Sequence, residues 1–142
     1  MPSSEPSARR LGRSLLIIDD DEHILEMLQY LLHGQLERIW ATTDPREGIR
    51  IALTYKPELI LLDHHMPGIT GLELLQQLRG MPSTQHLPVI MMTADSSANT
   101  VQRAVEARVA GYLLKPLEPA ILRNKISQWL DLEPPQPAVK KV

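Results

Sequence analysis

The chain has 142 residues, 43% hydrophobic and 23% charged, with a formal net charge of −2. That length suits one domain, at about 100–200 residues each, with a core that needs no covalent staples. The absence of cysteine excludes disulfide scaffolds, thiolate zinc sites and cysteine nucleophiles, and the near-neutral charge argues against a general nucleic-acid binder.

The N-terminal residues, up to Ser14, are polar and carry Arg9, Arg10 and Arg13, without the apolar stretch of a signal peptide. Residues 1–13 read as a disordered arm, 14–132 as the folded domain, and 133–142 as a Pro-rich tail or linker. The first element is Leu15 to Ile18, a continuous apolar run suited to a strand buried on both faces. Ile24, Met27, Leu28, Leu31 and Leu32 then recur at helical spacing. Arg38 to Thr42 is a weaker strand. Asp44-Pro45 reads as an N-cap with proline at the first helical position, opening a helix that carries Ile49, Ala52 and Leu53. Leu59 to Leu62 is the third strand, and Leu72, Leu75 and Leu78 mark the third helix. Val89 to Met92 is the fourth strand, followed by a helix marked by Val101, Ala104 and Val105. Tyr112 to Leu114 is the fifth strand, and Ile121, Leu122, Lys125, Ile126 and Trp129 form the last helical stripe.

Five strands alternating with five helices predict an α/β fold around a parallel sheet. The 12 prolines agree, because five lie in the terminal segments and the other seven fall between elements or, at Pro45, at a helix start. No apolar run approaches the ~20 residues of a membrane-spanning helix, so a cytoplasmic address is expected.

In an open parallel sheet, ligands bind beyond the carboxyl ends of the strands. The residues there are Asp19-Asp20-Asp21-Glu22 after the first strand, Asp63 after the third, Thr93 at the end of the fourth and Lys115 after the fifth. No glycine-rich phosphate cradle follows the first strand. Clustered carboxylates would instead repel a pyrophosphate and attract a hard cation such as Mg²⁺. Taken singly, the acids suit helix-dipole compensation, Thr93 an N-cap and Lys115 a salt bridge. Together they supply a carboxylate nucleophile, a metal site, a cation and a hydroxyl, the equipment for phosphoryl transfer to a carboxylate.

Four stretches in register resemble the receiver domain of two-component response regulators, of the chemotaxis-receiver type. They are Leu15 to Asp21, Leu59 to Leu74 with Asp63, Pro67 and Gly71, Pro88 to Ala94, and Tyr112 to Pro116. The resemblance implies a flavodoxin-like, doubly wound five-stranded sheet of order 2-1-3-4-5. It implies a phosphorylation-activated signalling switch at 14–132, with Asp63 as phospho-acceptor. Asp19, Asp20, Asp63 and the backbone carbonyl of His65 would hold Mg²⁺, while Thr93 and Lys115 would contact the phosphoryl group. Thr93 and Tyr112 would report the switch, and a cis peptide would precede Pro116. The implied partners are a sensor histidine kinase or phosphotransfer protein and an output domain or protein, with a homodimer as an option. No enzymatic turnover beyond self-phosphotransfer and autodephosphorylation is expected, and no direct contact with nucleic acid or membrane.

Some positions depart from the pattern. His64 and His65 follow Asp63, and Asp95 is the second residue after Thr93; in the family, the second residues after the acceptor and after the threonine tune phosphoryl lifetime. Arg108 stands where glycine is frequent, which predicts a different end to the fourth helix. Ala110-Gly111 replaces the acidic pair of many DNA-binding regulators, which argues against their mode of dimerisation. Two alternatives remain open at this point. One is a receiver-like interaction module that works without phosphorylation. The other is a metal-dependent phosphoesterase, whose signature Asp63-His64-His65 matches literally.

Overall fold

The computed structural model describes residues 13–134. Five parallel strands form one sheet of order β2-β1-β3-β4-β5. The strands are β1 (Ser14–Ile18), β2 (Arg38–Thr42), β3 (Leu59–Asp63), β4 (Val89–Thr93) and β5 (Gly111–Leu114). The helices between and after them are α1 (Glu22–Leu31), α2 (Pro45–Tyr55), α3 (Gly71–Arg79), α4 (Ala98–Glu106) and α5 (Pro119–Ser127). This is the fold class that the element pattern predicts and the strand order that the resemblance implies. Among the described residues, no helix is long and apolar enough to cross a membrane.

The continuous apolar runs become the inner strands because helices cover both faces of the sheet. Leu16, Ile18, Ile60, Leu62 and Met91 point to one face, where they meet Ile51 of α2 and Leu74, Leu75 and Leu78 of α3. Leu15, Ile17, Leu59, Leu61 and Met92 point to the other, against Leu25 and Leu28 of α1 and Leu122 and Ile126 of α5. A β-strand alternates its side chains, so one apolar run feeds both halves of the core. β2 is an edge strand and is only partly covered.

Short-range side-chain bonds open several helices, at α2 by the cap the sequence predicts. Asp44 Oδ1 accepts the Arg46 N–H at 2.9 Å, with Pro45 in the first turn of α2. Thr70 and Glu73 form a reciprocal capping box at α3, with bonds of 3.1 and 2.9 Å.

Two expectations need correction. The stripes of α4 and α5 are narrower than the sequence implies: Val105 and Ile121 are exposed, whereas Ala104, Leu122 and Ile126 are buried, and Trp129 is exposed beyond the end of α5. Consecutive helical residues lie about 100° apart, so only one member of each adjacent apolar pair faces the sheet. Arg108 does not prevent a left-handed helix end. Its φ is 62°. Arg108 N–H donates to Val105 O at 2.9 Å and Val109 N–H to Ala104 O at 3.1 Å, the paired bonds of a Schellman motif. The support comes from Arg79 at the end of α3. Its guanidinium donates to Ala107 O (3.1 Å), Arg108 O (2.8 Å), Leu87 O (2.8 Å) and Gln85 O (3.2 Å).

At the opposite end of the sheet, Arg13 is buried and donates to Gln35 O at 3.2 Å and to Asp131 O. Glu133 N–H donates to Gln35 O at 3.0 Å, and Arg123 Nη2 donates to Glu133 O at 2.7 Å. Arg13 and Glu133 flank the 14–132 span and are bonded into it. The rest of the arm, 1–12, and the tail beyond Pro134 lie outside the described residues.

Candidate functional site

The parallel register ends the inner strands together. Ile18 pairs with Leu62, Asp63 with Met92, and Thr93 with Leu114. Asp19, Asp63, Thr93 and Lys115 therefore emerge side by side at the carboxyl edge. Asp19 and Thr93 are fully buried and Asp63 nearly so. Lys115 Nζ bridges the carboxylates, 2.9 Å from Asp19 Oδ2 and 3.0 Å from Asp63 Oδ1. The peptide bond between Lys115 and Pro116 is cis.

The acidic run after β1 divides into separate roles. Asp19 Oδ1 accepts the Asp21 N–H at 2.9 Å. Asp20 is exposed and lines an open cleft with Glu22, His23, Asp63, His65 and Lys115. Asp21 caps α1 by accepting the His23 N–H at 2.9 Å, and that backbone bond is the main cause lowering its pKa. A more voluminous groove lies at the opposite end of the sheet, between Arg13, Glu58, His86 and Trp129. The carboxylate and lysine constellation sits in the shallower cleft.

Burial raises the Asp63 carboxyl to a pKa of about 6. The Lys115 hydrogen bond opposes that rise and the nearby Asp19 charge adds to it. Lys115 is moved upward: burial disfavours its charge, but its bonds to Asp19 and Asp63 outweigh burial. Asp19, Asp20 and Asp63 each offer a carboxylate oxygen, all within 4.8 Å of one another. Three carboxylates against one ammonium leave a negative excess, and an all-oxygen donor set fits a hard divalent cation such as Mg²⁺.

Gly71 sets the approach of α3 to this edge. Its N–H donates to His64 O at 2.8 Å, and a Cβ there would lie 2.3 Å from Asp63 O. No other residue permits that contact.

Thr93 does not cap α4; Ser97 does, accepting the Thr100 N–H at 3.3 Å. Thr93 Oγ1 accepts the Asp95 N–H at 2.9 Å, which leaves its own proton to donate. Tyr112 turns toward the same loop and its hydroxyl donates to Asp95 O at 2.8 Å. His64 is buried rather than solvated, with its pKa lowered by burial and then by His65. Asp95, set apart in the sequence by spacing alone, links Thr93 to Tyr112. A contact through its backbone has no side-chain signature.

A model of the response regulator receiver domain matches residues 15–127. The chain is 32% identical over 133 residues to the cyclic di-GMP phosphodiesterase response regulator RpfG of Xanthomonas campestris pv. campestris, covering 92% of this chain and 35% of that protein. It is 30% identical over 120 residues to the phosphate regulon transcriptional regulatory protein PhoB of Pseudomonas aeruginosa, covering 84% and 52%. Among solved structures, the Vibrio cholerae chemotaxis protein CheY4 superposes with a TM-score of 0.77 at 26% identity, covering 82% and 98%. A CheY-like receiver domain protein from Methanospirillum hungatei gives 0.77 at 27% identity, covering 84% and 94%. The chain thus spans 35% of RpfG and 52% of PhoB, so only part of each curated relative corresponds to it.

Proposed function

The chain belongs to the response regulator receiver domain family, and on that premise we propose that Asp63 is the phosphoryl acceptor of its signalling switch. The observation that carries the reading is Lys115 Nζ bridging two buried carboxylates, Asp19 and Asp63, at the open edge of the sheet. A structural salt bridge needs one carboxylate. A second one in the same cleft suits a site that takes up a cation and a phosphoryl group.

A sensor histidine kinase or a phosphotransfer protein presents a phosphohistidine. An Asp63 carboxylate oxygen attacks phosphorus in line, the O–P bond forms, the P–N bond breaks, and the imidazole leaves with the electron pair. Lys115 pairs with the phosphoryl oxygens and Thr93 donates its hydroxyl proton to them. Asp19, Asp20, Asp63 and the His65 backbone carbonyl would hold Mg²⁺, which when bound offsets the charge of the carboxylates and of the phosphoryl oxygens.

The active shape pre-exists as a minor state, and the phosphoryl contacts of Thr93 and Lys115 favour it. A shift from 1:99 to 99:1 takes about 5.5 kcal/mol of differential interaction. Thr93, Asp95 and Tyr112 form one hydrogen-bonded series, so drawing Thr93 toward the phosphoryl group pulls on the backbone that holds the Tyr112 hydroxyl.

In this reading the domain works in the cytoplasm and turns over no separate substrate. It acts on an output partner or domain without itself binding nucleic acid. The phosphoesterase alternative lapses with family membership. The kinase or phosphotransfer protein docks beside α1, whose Glu22 and His23 share the cleft with Asp63. The test is labelling by a small phosphodonor with Mg²⁺. Wild type is labelled and Asp63→Asn is not; undiminished labelling of that variant overturns the assignment.

A further inference from the structure

His64 and His65 follow the acceptor at the end of β3, and Asp95 lies on the loop after β4. The register that pairs Asp63 with Met92 brings these loops together, and His64 N–H donates to Met92 O at 2.9 Å. One ligand atom from each of His64, His65 and Asp95 lies within 4.8 Å of the others. The two imidazoles meet edge-on, with centroids 4.8 Å apart.

His64 is 8% exposed, and its Nδ1 is buried without a hydrogen-bond partner. Buried polar groups in native proteins are nearly always satisfied, and an exception calls for a cause. Two loop histidines packed by chance would not strand a ring nitrogen there. Asp95 is already oriented: Oδ1 accepts the Ser97 N–H at 2.8 Å and Oδ2 the Thr100 hydroxyl at 3.0 Å. Each carboxylate oxygen keeps a further lone pair, and such bonds are how metal-ligating carboxylates are held. The wider charges balance, with Glu73 and Arg103 both acting on His64.

We propose that the side chains of His64, His65 and Asp95 form a binding site for a divalent transition-metal ion of the Zn²⁺ class, beside the acidic cleft that His65 also lines. Two imidazoles and a carboxylate suit Zn²⁺ or Co²⁺, whereas Mg²⁺ prefers oxygen donors. Three protein ligands leave a fourth position for water. Bonds of about 2.0–2.1 Å place tetrahedral ligands about 3.4 Å apart. With the ligand atoms within 4.8 Å of one another, closing the cluster takes at most about 1.4 Å at any pair, within reach of the exposed His65.

An ion here ties the loop after Asp63 to the loop after Thr93. It also holds Asp95, whose carbonyl receives the Tyr112 hydroxyl, in its present place. Occupancy therefore opposes the switch and slows labelling of Asp63, a consequence that rests on the acceptor reading above.

The test titrates the full chain with Zn²⁺ by calorimetry in millimolar Mg²⁺, which competes for the acidic cleft, and follows the imidazole resonances by NMR. One equivalent binds at micromolar concentration, and the ring signals of His64 and His65 shift. His64→Ala, Asp95→Asn and the exposed variant His65→Gln each weaken binding by about 10–100-fold, while His23→Gln and His86→Gln do not. Absence of micromolar binding, equal binding by the three site variants, or loss in His86→Gln overturns the site. In a second arm, Zn²⁺ slows phosphodonor labelling of wild type but not of His64→Ala. Tight binding with an unchanged labelling rate overturns the clamp and leaves the site standing. Tight binding with no labelling at all sinks the acceptor reading alone.

Discussion

Lys115 Nζ lies 3.0 Å from Asp63 Oδ1 across 52 positions of sequence, in a pocket where the aspartate side chain is 3% exposed. The same ammonium is 2.9 Å from Asp19. One cation serving two buried carboxylates stabilises the edge less than two separate pairs would, and this imbalance has opposite consequences for the two partners.

Removing the cation destabilises the fold. Lys115→Met leaves Asp19 and Asp63 buried without a counterion, and breaking a buried pair from one side costs about 3–5 kcal/mol. The loss is greatest at mildly alkaline pH. It shrinks in acid, because without the ammonium the Asp63 carboxyl moves further above its ordinary range and takes up a proton on folding. Urea denaturation across this range checks the sign. A loss that does not change with pH would refute the account.

Removing the Asp63 charge does the reverse. Its folded pKa of about 6 exceeds the ordinary 3.8, so the folded state binds this proton more tightly than the unfolded chain. The stability linked to it is present below the unfolded value and is lost as pH rises through about 6. Without divalent cations, Asp63→Asn is therefore more stable than wild type at neutral pH, by an amount on the order of 1–3 kcal/mol. The advantage disappears as pH falls to the ordinary carboxylate range. Added Mg²⁺ raises the melting temperature of wild type and not of the variant. Paired thermal melts, with and without Mg²⁺, read both effects.

The sheet and the acidic cleft were legible in the sequence because they rest on local pattern. Leu15 to Ile18, Leu59 to Leu62 and Val89 to Met92 are uninterrupted apolar runs, and each ends on the polar residue that the strand delivers to the edge. What stayed hidden depends on contacts between distant segments. Arg108 reads as unfit for a left-handed turn, yet Arg79, 29 positions earlier, fastens that turn through its carbonyl oxygens. His64 reads only as a loop residue after the acceptor, yet it is buried where Gly71 of α3 and Met92 of β4 bond its backbone. Val105 and Ile121 fit an apolar stripe by spacing, and only the packed helix shows which neighbour turns outward.

On the proposed docking of the phosphodonor beside α1, the acidic face of that helix is part of the recognition surface. Glu22 walls the cleft next to Asp63, and Glu26 lies one turn further along the exposed side of the helix. Reversing both charges to lysine slows phosphotransfer from the cognate donor by about 10-fold or more through the encounter rate. Labelling by a small phosphodonor is spared, because the acceptor chemistry is untouched. Equal phosphotransfer rates in variant and wild type would move the docking site elsewhere.

The turn between α4 and β5 offers a stabilising substitution beside a destabilising one. Arg108 holds a φ of 62°, a conformation that costs a residue with a Cβ about 1 kcal/mol relative to glycine. It also stands near Arg79, whose pKa is lowered first by burial and then by the Arg108 charge. Arg108→Gly removes the strain and the repulsion, while the carbonyl that Arg79 binds remains. It should stabilise the protein by about 0.5–1 kcal/mol, less the greater entropy of glycine in the unfolded chain. Arg79→Ala removes the guanidinium from four carbonyl oxygens and should cost about 2–4 kcal/mol. The double variant tests whether the two act through each other. The repulsion exists only while Arg79 is present, so Arg108→Gly gains less in the Arg79→Ala background than in wild type. Equal gains in both backgrounds, measured by chemical denaturation, would assign the whole benefit to the backbone.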